Sequence, residues 1–194
     1  MVLSTGYNKI RTAVFISGTG SNLKSLIKFS KINKSPISIE FVISSNSKAK
    51  GLDYAKKFKI KKKIINYDNI KIAEKNILAE LMKNKIDLIC LAGFMQILSN
   101  NLITKFKGKI INIHPSLLPK YKGLNTHQRA INNKEKYAGC TVHYVNSGID
   151  SGKIILQKNV RILKTDTSVT LKKRVLKKEH ILYPKALKKV LINL

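Results

Sequence analysis

Short apolar runs rich in β-branched residues alternate along the chain with longer stretches of helical period. Ala13–Ser17 reads as a strand, Asn22–Phe29 as a helix and Ile37–Ser44 as a strand. Ala49–Phe58 follows as a helix and Lys62–Ile65 as a short strand. Ile72–Met82 reads as an amphipathic helix on which Ile72, Leu78, Leu81 and Met82 can share one stripe. Asp87–Ala92 and Lys109–His114 are two further apolar strands around a helical piece near Leu102. This βαβ alternation predicts a parallel sheet with helices on both faces.

After His114 the texture changes. Pro115 to Gly123 is a loop with two prolines and a glycine, and a short helix near Gln128–Asn132 follows. Cys140–Val145 and Lys153–Val160 are strands separated only by the turn Asn146–Gly152, so they should pair antiparallel. A last helix starts near Ser168, capped by Asp166 or Thr167, and should bend or restart at Pro184. No repeat or linker divides the pattern, which predicts a single α/β domain over residues 1–194 with residues 1–11 as a disordered lead-in.

Composition adds little to that fold but narrows the context. Hydrophobic residues make up 43% of the 194, enough for a core, and no apolar run approaches the roughly 20 residues that cross a bilayer. Met1–Ile10 shows no signal-peptide pattern, and Cys90 and Cys140 each sit inside a strand-like run, which fits buried free thiols and a cytoplasmic setting. The formal charge is +28, yet the lysines are dispersed rather than gathered in a stripe. Abundant Lys, Asn and Ile all have AT-rich codons, so compositional bias explains the charge more simply than specific nucleic-acid binding does. Such a charge still attracts small anions.

The first strand runs into Gly18-Thr-Gly-Ser-Asn22 and then a helix. Glycines let backbone approach a ligand, and a helix N-terminus offers free N–H groups to an anion. The same residues would also make an ordinary capped βα turn. Leu23 stands where a GxGxxG pattern needs glycine, and no GK[ST] follows, so neither a dinucleotide nor an ATP loop is indicated.

In Lys109–His114 the alternation sends Ile111 and Ile113 one way, Asn112 and His114 the other. Two polar side chains at the C-terminal end of an apolar strand lie where open α/β sheets place ligands, although they could equally pin the loop that follows. Beyond residue 94 the carboxylates are only Glu135, Asp150, Asp166 and Glu179, and Asp150 sits in a turn flanked by glycines, where an Asx turn is the plainer explanation. Together Asn112, His114 and Asp150 suit acyl transfer to an amine. An imidazole can move the proton, an amide can hold the oxyanion, and a carboxylate can orient the ring. No Ser or Cys lies in a nucleophile elbow and no His or Cys pair has metal-ligand spacing, which favours direct transfer without metal. His127, His143 and His180 read as structural or substrate-lining.

Phe15-Ile-Ser-Gly-Thr-Gly-Ser-Asn-Leu23, Leu91-Ala-Gly-Phe-Met-Gln-Ile-Leu-Ser99, Asn112-Ile-His-Pro-Ser-Leu-Leu-Pro-Lys-Tyr121 and Asp150-Ser-Gly resemble the folate-dependent formyltransferases acting on glycinamide ribonucleotide. The resemblance covers about residues 12–190 and implies a seven-stranded, mostly parallel, Rossmann-like sheet. It implies transfer of the formyl group of 10-formyltetrahydrofolate to the amine of glycinamide ribonucleotide in purine synthesis, by a monomer or homodimer. By the same resemblance Gly20, Ser21, Asn22, Arg174 and Glu179 hold the phosphate and ribose of the nucleotide, the first three the phosphate and Glu179 the ribose, and Asn112, His114 and Asp150 are catalytic. Leu91, Met95, Gln96, Ile97, Leu98, Val145 and Asn146 would line the folate pocket. Residues 12–110 then form the nucleotide-phosphate half and 111–194 the catalytic and folate-binding half.

Three positions depart from the family pattern: Gln96 replaces a common arginine, Lys71 is the nearest base to another, and Leu176 stands where a phosphate-side polar residue is usual, with Arg174 nearby. Two relatives carry extra domains, N-terminal in formyltetrahydrofolate hydrolase and C-terminal in methionyl-tRNA formyltransferase. With about 11 residues before the first strand and Leu194 following the last helix, the sequence leads one to expect neither of these relatives. A non-catalytic phosphate-binding module of the same architecture is the reading from another class.

Overall fold

The computed structural model describes residues 9–191, so most of the expected lead-in, residues 1–8, lies outside the described residues. Seven strands form one sheet: β1 (Ile10–Ile16), β2 (Ile37–Ser44), β3 (Lys61–Ile64), β4 (Leu88–Leu91), β5 (Lys109–His114), β6 (Tyr137–Tyr144) and β7 (Ile154–Arg161). Their order is β3-β2-β1-β4-β5-β6-β7. The first five are parallel, and β6 and β7 return antiparallel. This is the mostly parallel α/β sheet that the alternation predicts. β1 opens at Ile10, earlier than the apolar run suggests, because Ile10 and Arg11 still pair with Ile37 and Ser38 of β2.

The helices are α1 (Ser21–Ser30), α2 (Gly51–Lys57), α3 (Ile70–Lys83), α4 (Asn100–Lys105), α5 (Thr126–Asn132) and α6 (Ser168–Leu191). Alternate strand residues feed two cores. Val14, Ile16, Ile111 and Ile113 meet Leu23, Leu26, Val175 and Tyr183 of α1 and α6, while Ala13, Phe15 and Ile110 meet Ile77 and Leu81 of α3 and Leu102 of α4. On α3 the buried stripe is Ala73, Ile77 and Leu81, spaced by four. Ile72 and Met82, expected on it, are 59% and 78% exposed. The small Ala73, rather than Ile72, sets the face that packs on the sheet.

α6 runs unbroken through Pro184, where a bend or restart is expected. Proline removes the N–H that would bond the carbonyl four residues earlier. That carbonyl, on His180, accepts a hydrogen bond from the Ser25 hydroxyl of α1 at 2.7 Å instead. Ser25→Ala should therefore orphan it and cost about 1 to 3 kcal/mol of stability. Urea unfolding of the variant measures this, and an unchanged midpoint would exclude the role. At the helix start, Thr167 is the cap of the expected pair, its hydroxyl accepting from the Thr170 N–H at 3.2 Å.

Candidate active site

β1 and β4 are neighbours in the sheet, and the chain leaves them toward opposite faces, a switch point that opens a crevice at their C-terminal ends. Two hydrogen bonds hold the crevice. The Ser17 N–H donates to the Gly93 carbonyl at 3.1 Å, and the Met95 N–H donates to Ser17 Oγ at 2.9 Å. Gly20 begins α1 in a left-handed conformation (φ 71°), and a Cβ there would collide with the backbone of Gly51 at the start of α2. Glycine is required on both counts. α1 has no side-chain cap, so its first N–H groups point into the crevice available to an anion. Asn22 Nδ2 donates to Glu179 Oε2 of α6 at 2.6 Å, bringing together two residues that are far apart in sequence. Burial pushes the Glu179 carboxyl up, against the opposing effect of Asn22 and the Lys172 charge.

Arg174 is not brought to this loop. Its guanidinium donates to Asp166 and to the Arg161 carbonyl, the latter at 2.9 Å, at the end of β7.

Asn112 and His114 share a face of β5, and antiparallel pairing sets His143 of β6 directly opposite Asn112. Asp150 folds back over this face from the turn after β6. Its Oδ2 lies 3.2 Å from His114 Nδ1 and accepts from the Gly123 N–H at 2.9 Å. Its Oδ1 accepts from Asn112 Nδ2 at 3.4 Å and lies 3.6 Å from His143 Nε2. Asp150 is left-handed (φ 44°), and its side chain is only 13% exposed, more enclosed than an ordinary turn residue. Burial raises the carboxyl, but the Gly123 N–H and the nearby His143 and His114 rings outweigh this, so it rests below its ordinary value and is ionised at neutral pH.

Backbone carbonyls set both tautomers, since a carbonyl can only accept. His114 Nε2 donates to the Tyr121 carbonyl at 2.8 Å, which leaves Nδ1 bare and facing Asp150. His143 Nδ1 donates to the Tyr144 carbonyl at 2.8 Å, which leaves Nε2 to accept from Asn112 Nδ2 at 3.2 Å. Burial lowers the His114 pKa, with the Tyr121 carbonyl and Asp150 pulling it up and His143 and Arg129 pushing it down. The net direction is below 6.5. Asp150 thus raises the proton affinity as its charge requires, but does not lift it above the ordinary histidine value. A proton arriving between Nδ1 and Oδ2 turns a contact of two lone pairs into an ion pair. The arrangement can accept a proton from an amine and can present an amide N–H to an oxyanion.

The residues expected around a folate divide by burial. Leu91, Leu98 and Val145 pack into one hydrophobic cluster beside β5. Met95 and Ile97 of the loop after β4 are 66% and 63% exposed, and Gln96 between them is half-buried. Exposed Asn146 shapes the Asp150 turn, its Oδ1 accepting from the Gly148 N–H at 3.2 Å and from Ser151 Oγ at 2.8 Å. Glu74, buried on α3, accepts from the Ser99 N–H at 2.7 Å and from the Ser99 hydroxyl, anchoring the far end of this loop where Ser99 caps α4. Sequence reasoning missed Ser17, Gly51, Glu74 and the place of His143. For His143 the signal was its alternation with Thr141 opposite Cys140 and Val142, which puts it on a polar face. Among the described residues, no group of three His, Cys, Asp or Glu side chains is arranged to hold a metal ion.

A seven-stranded sheet of this order, with an uncapped helix beside β1 and an Asn–His–Asp cluster on β5, defines a class of α/β group-transfer proteins. The chain belongs to the formyl transferase family, whose model matches residues 10–187. It is 44% identical over 185 residues to the trifunctional purine biosynthetic protein adenosine-3 of Homo sapiens, covering 94% of this chain and 18% of that protein. The chain thus spans under a fifth of the length of that multifunctional relative. It is 41% identical over 181 residues to the phosphoribosylglycinamide formyltransferase of Haemophilus influenzae, covering 92% of this chain and 85% of that one. The crystal structure of phosphoribosylglycinamide formyltransferase from Brucella melitensis superposes with a TM-score of 0.90 at 44% identity, covering 94% of this chain and 96% of that chain.

Proposed function

We propose that this chain transfers the formyl group of 10-formyltetrahydrofolate to the amine of glycinamide ribonucleotide, giving formylglycinamide ribonucleotide in purine synthesis. The observation that carries the reading is the Asn112–His114–Asp150 cluster, held within 3.4 Å contacts at the end of the sheet where β1 also runs into the uncapped N-terminus of α1. The names of the relatives above support the choice of substrates. Residues 12–110 supply the anion loop and the donor loop after β4, while the catalytic side chains and the Asp150 turn come from residues 111–194. Glu179 crosses back from the second half to the first. No helix among the described residues is long and apolar enough to cross a membrane. The two buried free thiols, Cys90 and Cys140, support a reducing, cytoplasmic setting, with a monomer or homodimer as the working unit.

In this mechanism the amine nitrogen attacks the formyl carbon and the carbonyl electrons move onto oxygen. An Asn112 N–H meets that oxyanion. The other N–H stays on His143, so the weaker 3.4 Å contact to Asp150 is the one that yields. The ammonium proton passes to the His114–Asp150 pair. It returns to the departing folate nitrogen as the tetrahedral carbon collapses, and no covalent enzyme intermediate forms. Exposed Met95 and Ile97 offer an apolar edge to the flat donor ring, with Leu91, Leu98 and Val145 as the floor and Gln96 and Asn146 as polar neighbours. The phosphate rests on the N–H groups of Gly20, Ser21 and Asn22, and the ribose hydroxyls face Glu179.

The test is absorbance of the folate product with and without glycinamide ribonucleotide. Product is expected only when the acceptor is present. Equal turnover without it would make the chain a formyltetrahydrofolate hydrolase, and no turnover in either case would leave a phosphate-binding module.

A further inference from the structure

The anion loop needs a cation to balance a phosphate beside the Glu179 carboxyl, and the nearby bases are not equivalent. Arg174 is engaged by Asp166 and the Arg161 carbonyl. Lys24 lies over the Tyr54 ring, 5.3 Å from its centroid. Lys172 makes no hydrogen bond, ion pair or ring contact among the described residues and is exposed on α6. It stands seven residues before Glu179 on the same helix, hence within about 20° of the same face and about 10 Å along the axis. Its charge is felt at Glu179 and also at His127 of α5, which in turn lies within electrostatic reach of His114. Lys172 and Glu179 thus share a face of α6, and both α1, which carries Asn22, and α5, which carries His127, pack against that helix.

Two atoms along this line are buried without a partner among the described residues, His127 Nε2 and Asn22 Oδ1. Buried polar atoms are nearly always paired, and at a binding surface the missing partner belongs to the ligand. The His127 ring is neutral, because burial, Lys172 and His114 together bring its pKa down to about 4. Its Nδ1 side is occupied by Thr126 Oγ1 at 3.3 Å, so the unpartnered nitrogen is the one left for a visitor.

We propose that Lys172 and His127 form the second wall of the acceptor site, opposite Gly20–Asn22, with the Lys172 ammonium on the phosphate and His127 Nε2 on a sugar hydroxyl. This deepens the function proposed above and rests on it. Lys172 would be the cation that Arg174 cannot be, and the pair would select a phosphorylated sugar over a free amine.

Steady-state kinetics in each substrate separately test the proposal. Lys172→Met is expected to raise the acceptor KM on the order of 10- to 100-fold, the range for losing a charged hydrogen bond, with the donor KM and kcat near wild type. Lys172→Arg should recover most of the loss, and Lys173→Met, an equal change of charge on another face of α6, should do nothing. His127→Leu separates function from structure, since replacing a buried unpartnered polar atom by an apolar one should hold or raise Tm while the acceptor KM still rises. Calorimetry with ribose 5-phosphate reads the same wall without turnover. Loss of that binding in Lys172→Met upholds the wall even if wild type fails to formylate glycinamide ribonucleotide. Unchanged acceptor KM and unchanged ribose 5-phosphate binding in both variants would overturn it, even with formylation intact.

Discussion

Asp150→Asn is expected to lower kcat by roughly 10²- to 10⁴-fold, the usual loss on removing acid–base assistance, while leaving a folded protein. The backbone at residue 150 is left-handed, which asparagine tolerates well. An Asn oxygen can still accept the Gly123 N–H that Asp150 Oδ2 now accepts at 2.9 Å. What disappears is the charge facing His114 Nδ1. Asp150 is a cause that raises the His114 pKa, so its neutralisation moves an already lowered pKa further down. The imidazolium that forms when the amine gives up its proton then has no counter-ion. In wild type, kcat should fall on the acid side below pH 6.5, where His114 is protonated before it can serve, and in Asp150→Asn this limb should move to lower pH.

Stability should respond in the same direction for both groups. The ionised Asp150 stabilises the fold above its ordinary pKa of 3.8, and this is lost as pH falls through its lower folded value. His114 has a lowered folded pKa, so the unfolded chain binds its proton first and stability falls as pH drops below 6.5. Turnover and circular dichroism on one preparation of the variant decide the matter. Near-normal kcat in a folded sample would remove Asp150 from the chemistry, and an unfolded sample would make it a structural residue.

The polar face of β5 was legible because period-2 alternation holds wherever one face is buried: Ile111 and Ile113 enter one core, and Asn112 and His114 must share the other side. The parallel sheet and its antiparallel last pair were legible from the βαβ alternation and the short turn Asn146–Gly152, whereas the strand order was not. His143 was not legible as a member of the cluster, because its place depends on the register between β5 and β6, which no local pattern carries. Glu179 meets Asn22, and Glu74 meets Ser99, across helices whose relative rotation only packing sets. Pro184 misled for a related reason. Its helix survives because the freed carbonyl finds Ser25 on another element. Arg174 was expected to serve the phosphate because it lies near Leu176, yet it stands five positions before Glu179, a turn of about 140° along the helix, and its guanidinium bonds Asp166 instead. Lys172, at seven positions, returned to the face.

Asn112→Ala should reduce kcat by roughly 10²- to 10³-fold, the cost of removing one oxyanion donor. The amide is held by His143 Nε2 at 3.2 Å, and His143 is in turn held by the Tyr144 carbonyl at 2.8 Å, so its orientation is set before substrate arrives. The alanine variant also strips His143 Nε2 of its donor at a site 2% exposed, which should cost about 1 to 3 kcal/mol and lower the urea midpoint. A stability loss alone would not change kcat in the folded fraction, so the two readouts separate. If the Asn112 N–H stabilises the same tetrahedral oxygen whose formation drives the amine proton onto His114 and Asp150, the groups act on one transition state. The double variant Asn112→Ala with Asp150→Asn should then lose less than the product of the single losses. Its shortfall measures the coupling directly, since Asn112 Nδ2 and Asp150 Oδ1 already touch at 3.4 Å in the resting site. Losses that multiply in full would mean the oxyanion contact and the proton relay serve separate steps, and the single transition state would have to be abandoned.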